Sequence, residues 1–332
     1  MRWPHWASKV IAILVVTLLF SSGYAMWQIK VSFFDRPIGQ AHALITLPKS
    51  TSAKSLSQIL VDKKVISSPR VFIFLLKYYH LSHLLKSGTY QIDADDTVWS
   101  LLEKIIKGRV YTVPLRIIEG TRWCDCLKAW STHEAFHFQL SMLSSLKQAY
   151  PSLEGAFYAS TYRQPYGESI IPVLQLAHDT LQKRLQEIWN LRDHDLPYKN
   201  PYELLIAASI IEKESAIESE RQLISGVMFN RLRLNMPLQM DPTVAYGISS
   251  CEHIQLKSGD TKIDTPYNTY LHRGLPPTPI AMVSESALLA AAHPTRTAFL
   301  YFVANGHGQH VFSVNYQQQK QAVQQLRDAH AK

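Results

Sequence analysis

The chain has 332 residues, 46% of them hydrophobic and 18% charged, with a formal net charge of +8. That length suits two compact domains with apolar cores, which excludes a disordered or fibrous chain. The positive balance suits a surface near anionic lipid or an acidic polymer, but no Lys/Arg-rich run or nucleic-acid motif is present, so nucleic acid is not expected as a partner.

Val10 to Trp27 is an uncharged, mostly apolar run of 18 residues, close to the ~20 that a helix needs to cross a bilayer. Arg2 and Lys9 precede it and Lys30 follows, which favours a cytoplasmic N-terminus. A cleaved signal peptide is the competing reading, with Gly23, Tyr24 and Ala25 as a small-residue cleavage site. We read residues 1–28 as an uncleaved transmembrane anchor, because the run outlasts a typical signal core and bulky Met26 and Trp27 follow the would-be cut. No Cys lies directly after the run, which excludes a lipoprotein anchor. In either reading the remaining chain lies outside the cytoplasm, on the outer (periplasmic) side of the inner membrane.

Residues 29–43 read as a stalk. A small α/β module over 44–113 is expected next, with a strand at Ala43–Leu47 and helices over Ser55–Val65 and Arg70–Tyr79. A strand at Ser87–Ile92 and a helix from Thr97 to Lys107, ended by Gly108, complete it. Residues 114–165 form a connecting region. They carry Cys124 and Cys126, which with Cys251 make an odd set of three. Two Cys one residue apart pair poorly, so all three are expected as packed thiols. His133, Glu134 and His137 match the H-E-x-x-H pattern of zinc peptidases. No further histidine motif follows, and in a chain with 14 His we read them as surface residues on a connecting helix, with no metal and no cofactor.

A mixed α+β domain over 166–332 should contain helices at Ile171–Trp189, Tyr202–Ser219, Arg221–Leu234 and Tyr316–Ala329. Strands at Leu300–Val303 and Val311–Val314 should bracket a turn at Asn305–Gly308. Within it, Glu214 shares a helical face with Ile210, Ile211 and Ile217. Apolar surroundings disfavour ionisation, so its pKa should be raised, as a proton donor to a glycosidic oxygen requires. From the helix alone, an amphipathic segment with a solvated Glu fits as well. Gln239, Asp241, Thr243 and Tyr246 follow in a stretch that Pro242 and Gly247 mark as a turn-rich loop. Tyr and Asn side chains on such loops suit sugars, whose apolar faces stack on rings and whose hydroxyl and acetamido groups bond to amides.

Eight elements in order then carry a resemblance: ASIIEKE at 208–214, SER at 219–221, FNRL at 229–232, LQMDPTV at 238–244, PYNTY at 266–270, GLPP at 274–277, AHP at 292–294 and LYFV at 300–303. Together they resemble the endolytic murein transglycosylase (YceG-like) family over nearly all the chain past the anchor. The resemblance implies a LysM-like module over 44–113 and makes Glu214 the catalytic acid. Glu212 lies about 200° away on the helical wheel. The chain departs from the family's habit at Ala159 and Ser160, where Pro-Asp is usual, at Val283 and Ser284, where Pro-Gly is frequent, and at Gln319, where His is common.

The chemistry the resemblance implies is non-hydrolytic cleavage between N-acetylmuramic acid and N-acetylglucosamine within peptidoglycan strands. Glu214 would protonate the leaving oxygen, then take the proton from the muramic 6-hydroxyl as it closes onto the anomeric carbon, leaving a 1,6-anhydro end. Gln239, Asp241, Tyr267 and Asn268, with Asn230 and Tyr270 behind them, are the candidates for holding sugar. Peptidoglycan synthases at the membrane are the expected partners. A muramidase-type hydrolase using Asp241 as a second carboxylate, and an inactive wall-binding scaffold, are the alternatives.

Overall fold

A computed structural model describes residues 5–138, 152–249, 251, 254–257, 259–306 and 309–330. The fold is mixed α+β with one long N-terminal apolar helix, and the chain divides into two compact units, residues 1–113 with 165–168, and residues 114–164 with 169–332.

In the first unit, α1 (His5–Lys30) passes without a break into a π-helical turn, Val31–Asp35, so much of the expected stalk is helical. Its apolar side chains from Val10 to Trp27 are exposed to solvent or lipid, whereas Phe33 is buried in the core that follows. That core lies between β1 (Leu44–Leu47), α2 (Ala53–Asp62), α3 (Pro69–Tyr78), β2 (Gly88–Gln91) and α4 (Val98–Lys107). β1 and β2 pair antiparallel, with Leu44 opposite Gln91 and Leu47 opposite Gly88. Each helix begins on a hydroxyl cap, Ser52, Ser68 or Thr97, which satisfies an otherwise orphaned backbone N–H. α4 ends at Gly108, whose φ of 70° is the left-handed conformation that glycine adopts at no steric cost.

The second unit begins with β3 (Thr112–Ile117), α5 (Trp123–Ser131) and β4 (Ser160–Pro165), with β3 pairing β4. A cluster around Leu115, Trp130, Phe157 and Leu174 holds them to α6 (Ile171–Leu191). The larger core gathers α6, α7 (Pro201–Glu214), α8 (Glu218–Arg233), α9 (Asp241–Ile248) and α10 (Glu285–Ala292). The hairpin of β5 (Tyr301–Ala304) and β6 (His310–Ser313) and the last helix α11 (Tyr316–His330) complete the unit.

Besides the stalk, the sequence expectation differs from the structure at four further places. The helix expected over 202–219 stops at Glu214, because Ser215 turns extended and α8 starts afresh at Glu218. The stretch read as a loop around Asp241 is a short helix, whose Pro242 sits in the first turn, where the missing N–H costs nothing. His133 and His137 lie outside any helix, beyond the end of α5, so no helical turn brings the two imidazoles together; His133 stacks on Phe136 at 4.1 Å and His137 forms an isolated bridge with Ser169. Cys124 is bonded to Cys251, 127 residues away, with Cα atoms 5.9 Å apart. Cys126, about 200° round the same helix, is a buried free thiol that burial pushes up to about 11.

Candidate active site

α7 is buried along almost its whole length, from Leu204 to Glu212. Asn200 caps it by accepting from the Glu203 N–H, and Pro201 opens its first turn. α6, α8, α9 and α10 all pack against it, which fixes its C-terminal end in space.

The two glutamates at that end have opposite surroundings. Glu212 is buried and fully engaged: Oε1 accepts from Arg221 Nη2 at 2.7 Å, and Oε2 accepts from the Ser284 backbone N–H at 2.9 Å and from the Ser284 hydroxyl. Arg221 in turn donates through Nε to the Ser215 carbonyl at 3.3 Å and through Nη1 to Ser284 at 2.6 Å and to Ser286. This network holds the extended link at Ser215 that ends α7. Glu214, the last residue of the helix, is half-buried, and no hydrogen bond or ion pair reaches its carboxyl among the described residues. Burial, reinforced by the nearby charge of Asp241, pushes it up to about 8, so the carboxyl holds its proton at neutral pH.

Asp241 opens α9, exposed, and accepts from the Tyr270 hydroxyl at 2.6 Å. Burial and that carboxylate push the Tyr270 phenol well above its ordinary range. The turn before α9 is held from below by Arg231, which donates to the carbonyls of Pro237, Leu238 and Leu300 and, at 3.1 Å, to Gln239 Oε1. Gln239 is exposed with a φ of 55°, and its N–H is fixed by the Thr269 carbonyl at 3.0 Å. Tyr267 packs against Tyr246 with ring centroids 4.7 Å apart and bonds through its hydroxyl to Thr278. The loop carrying it can lie this close only because residue 247 is glycine: a Cβ there would meet Thr265 Oγ1 at 2.3 Å.

Asn268 is fully buried, with Nδ2 donating to the carbonyls of Thr261 and Ile263 and Oδ1 accepting from the Tyr270 N–H. Asn230 is occupied similarly, donating to the carbonyls of Thr297 and Phe299. Both shape the loops beneath the site, while Gln239, Asp241, Tyr267 and Tyr270 stand at its surface.

A cleft of about 500 Å3 adjoins α7 and α9, lined among others by Arg122, Lys213, Asp241, Tyr246, Ile254 and Leu256. Three of its features were not singled out from sequence. Arg122 lies over the Tyr246 ring at 4.5 Å and donates to the Tyr246 carbonyl at 2.9 Å. Glu154, buried behind it, accepts from the Trp123 N–H at 3.0 Å and from the Tyr246 hydroxyl at 3.3 Å, and burial pushes it up to about 7. The Cys124–Cys251 bond ties the segment carrying Ile254 and Leu256 to the same α5 that begins beside Arg122. Only Glu154 had a local signal, since it opens the stretch EGAFYASTY at 154–162 that resembles a family element; the others join residues more than 100 positions apart. No group of three or more His, Cys, Asp or Glu is placed to hold a metal ion among the described residues.

Glu214 does not itself line the cleft, but its neighbours Lys213 and Asp241 do. A protonated carboxyl with no hydrogen-bond partner among the described residues therefore stands next to a cleft with aromatic, amide and cationic walls, which suits acid catalysis on a carbohydrate. Comparison with known proteins agrees in kind. A Bacillus subtilis (strain 168) protein named endolytic murein transglycosylase is 27% identical over 302 residues, covering 84% of this chain and 83% of its own. A Streptococcus pneumoniae (serotype 2, strain D39) protein of the same name is 27% identical, and the match spans 95% of this chain but 64% of the relative. A crystal structure of a YceG-like protein from Listeria monocytogenes superposes with a TM-score of 0.51 at 26% identity, over 84% of this chain and 98% of that one. The sequence model of the YceG-like family matches residues 45–325, and the chain belongs to that family.

Proposed function

We propose that this protein is a membrane-anchored lytic transglycosylase that cuts peptidoglycan strands internally, between N-acetylmuramic acid and N-acetylglucosamine. The observation that carries the reading is the contrast between Glu212, whose carboxylate is wholly engaged by Arg221 and Ser284, and Glu214, unpaired and raised to about 8. Glu214 delivers its proton to the glycosidic oxygen as the bond from the anomeric carbon breaks. The muramic N-acetyl oxygen supports the developing positive charge, so no second carboxylate nucleophile is required. The Glu214 carboxylate then accepts the proton of the muramic 6-hydroxyl as that oxygen bonds to the anomeric carbon, and the strand ends in 1,6-anhydromuramic acid.

Gln239, Asp241, Tyr267 and Tyr270 hold sugar in this scheme, with Tyr246 and Arg122 added from the cleft, and Asn230 and Asn268 keep their loops in place. The small module, whose two antiparallel strands enclose two helices, is the LysM-like part. The apolar helix from Lys9 to Asp35 anchors the chain in the cytoplasmic membrane with both units outside. The disulfide supports that side, since such bonds persist in oxidising compartments. Release of nascent strands beside membrane synthases is the role that follows.

The test is product mass. Uncrosslinked strands incubated with the full chain in detergent should yield ends one water lighter than a reducing sugar, and Glu214→Gln should yield none. Reducing ends would instead favour a muramidase-type hydrolase working through Asp241. No cleavage by the wild type would favour a wall-binding scaffold.

A further inference from the structure

We infer that one face of α3 rests on the lipid headgroups of the membrane that α1 enters, so that the first unit is held at the bilayer by a surface as well as by its anchor. This rests on the anchor reading of α1 and is independent of the chemistry at Glu214.

α3 has a buried side, Phe72 and Leu76, that joins the module core. Its other side presents Arg70, Phe74, Lys77 and Tyr78, spaced i, i+4, i+7 and i+8, which is one stripe of a helix. Phe74 is 62% exposed and Tyr78 66%, an unusual display of large rings for a helix that already has a core to fill. The helix contains no acidic residue, and neither Arg70 nor Lys77 has an ion-pair partner among the described residues. Exposed rings mixed with free cations are the composition of a surface that meets anionic lipid at the interface.

A line of ring contacts joins this stripe to the anchor. Phe74 stacks with Tyr78 at 6.1 Å, Tyr78 meets Tyr79 at 5.1 Å, Tyr79 meets Trp99 at 5.3 Å, and Trp99 meets Phe34 at 4.9 Å. Phe34 lies in the helical continuation of α1, seven residues beyond Trp27, or roughly 10 Å of helix rise. Trp27 itself pairs with Tyr24 at the end of the apolar run, where an aromatic girdle belongs. The ring line therefore starts close to the headgroup layer, on a helix with no joint between span and module. A cleft of about 490 Å3 opens between that continuation and the start of α3, lined among others by Arg36, Lys64 and Ser68, and adds two cations that have no ion-pair partner among the described residues. Positive charge, interfacial rings and continuity with the span point to a leaflet containing anionic phospholipid.

Oxidative footprinting of the full chain in phosphatidylglycerol nanodiscs tests the inference, with Tyr316 as a reference. Tyr316 is 61% exposed against 66% for Tyr78, so the free protein should oxidise both at similar rates. In the discs Tyr78 should fall at least fivefold relative to Tyr316. The double variant Arg70→Glu, Lys77→Glu, which alters only exposed side chains, should bring the ratio back towards one. An unchanged ratio for the wild type in the discs would overturn the inference. Protection that comes only after uncrosslinked glycan strands are added would also overturn it, by assigning the face to sugar. A chain that does not remain in the discs would remove the anchor and this inference with it, leaving the glycan chemistry untouched.

Discussion

Replacing Glu214 with Gln should abolish cleavage and at the same time make the protein more stable at neutral pH. The carboxyl titrates at about 8 when folded, against 4.5 as the ordinary value for an unfolded chain. Between those values the folded protein binds a proton that the unfolded chain releases, so stability is highest below about pH 4.5 and is lost as pH rises through 8. At pH 7 this displacement costs about 3 kcal/mol, and at pH 4 well under 0.5 kcal/mol. Gln keeps the shape and has no proton to lose, so the variant escapes the cost. For a unit of this size that is a melting point about 6–12 °C higher at pH 7, the low end applying because solvent reaches part of the side chain. Glu154, raised to about 7, produces a trend of the same sign in both proteins and cancels in the difference. Thermal melts from pH 4 to 8 measure it directly. Equal melting points at pH 7, or an offset that does not change with pH, would mean that Glu214 is ionised at neutrality and is not the acid.

Four further outcomes follow from the same geometry. Glu212→Gln leaves Arg221 buried without its carboxylate and should cost about 3–5 kcal/mol in urea denaturation; an unaltered midpoint would mean that water replaces the pair. Asp241→Asn removes the second cause of the raised Glu214 pKa, so the basic limb of the kcat/KM profile should move to lower pH, and a fixed limb would place Asp241 too far away to matter. Tyr270→Phe deletes the hydroxyl that Asp241 accepts and should lower kcat/KM about tenfold, the equivalent of about 1.4 kcal/mol, with wild-type kinetics removing that contact from the site. Cys251→Ser opens a disulfide spanning 127 residues, and a chain-entropy estimate gives a loss of about 4–5 kcal/mol. Reductant should lower the urea midpoint of the wild type to that of the variant and leave the variant unmoved.

What could be read from sequence followed the range of the interactions involved. The periodicity of α2, α3 and α4 and their hydroxyl caps are local, and those helices begin and end close to where the spacing puts them. The angular separation of Glu212 and Glu214 was legible from the helical wheel, but the preference for Glu214 came from the resemblance, and the wheel did not show that Glu212 is the more buried of the two. The end of α7 was not. Nothing in the run from Ser215 to Ile217 forbids helix, and what extends it is Arg221 reaching back to the Ser215 carbonyl while bound to Glu212 and Ser284, a tertiary condition. Pro242 and Gly247 misled for a related reason. Proline suits the first turn of a helix as well as a loop, and the glycine is required by the approach of Thr265 rather than by its own backbone. The disulfide and the Glu154–Tyr246 contact join segments 127 and 92 residues apart, for which a single sequence holds no periodic signal.

The departure at Ser284 adds a partner to the network around Glu212. A glycine, frequent there in the family, would keep only the backbone N–H for Glu212 Oε2. Serine adds a hydroxyl that bonds to Glu212 and also accepts from Arg221, so the carboxylate and the guanidinium share a third partner inside the protein. Each added bond to a buried ionised group lowers the cost of keeping that group charged out of water. A better-satisfied Glu212 keeps Arg221 in place, and Arg221 in turn holds the Ser215 carbonyl at the end of α7. The serine therefore strengthens the network that satisfies the buried Glu212 and that, through Arg221, ends α7 just after Glu214.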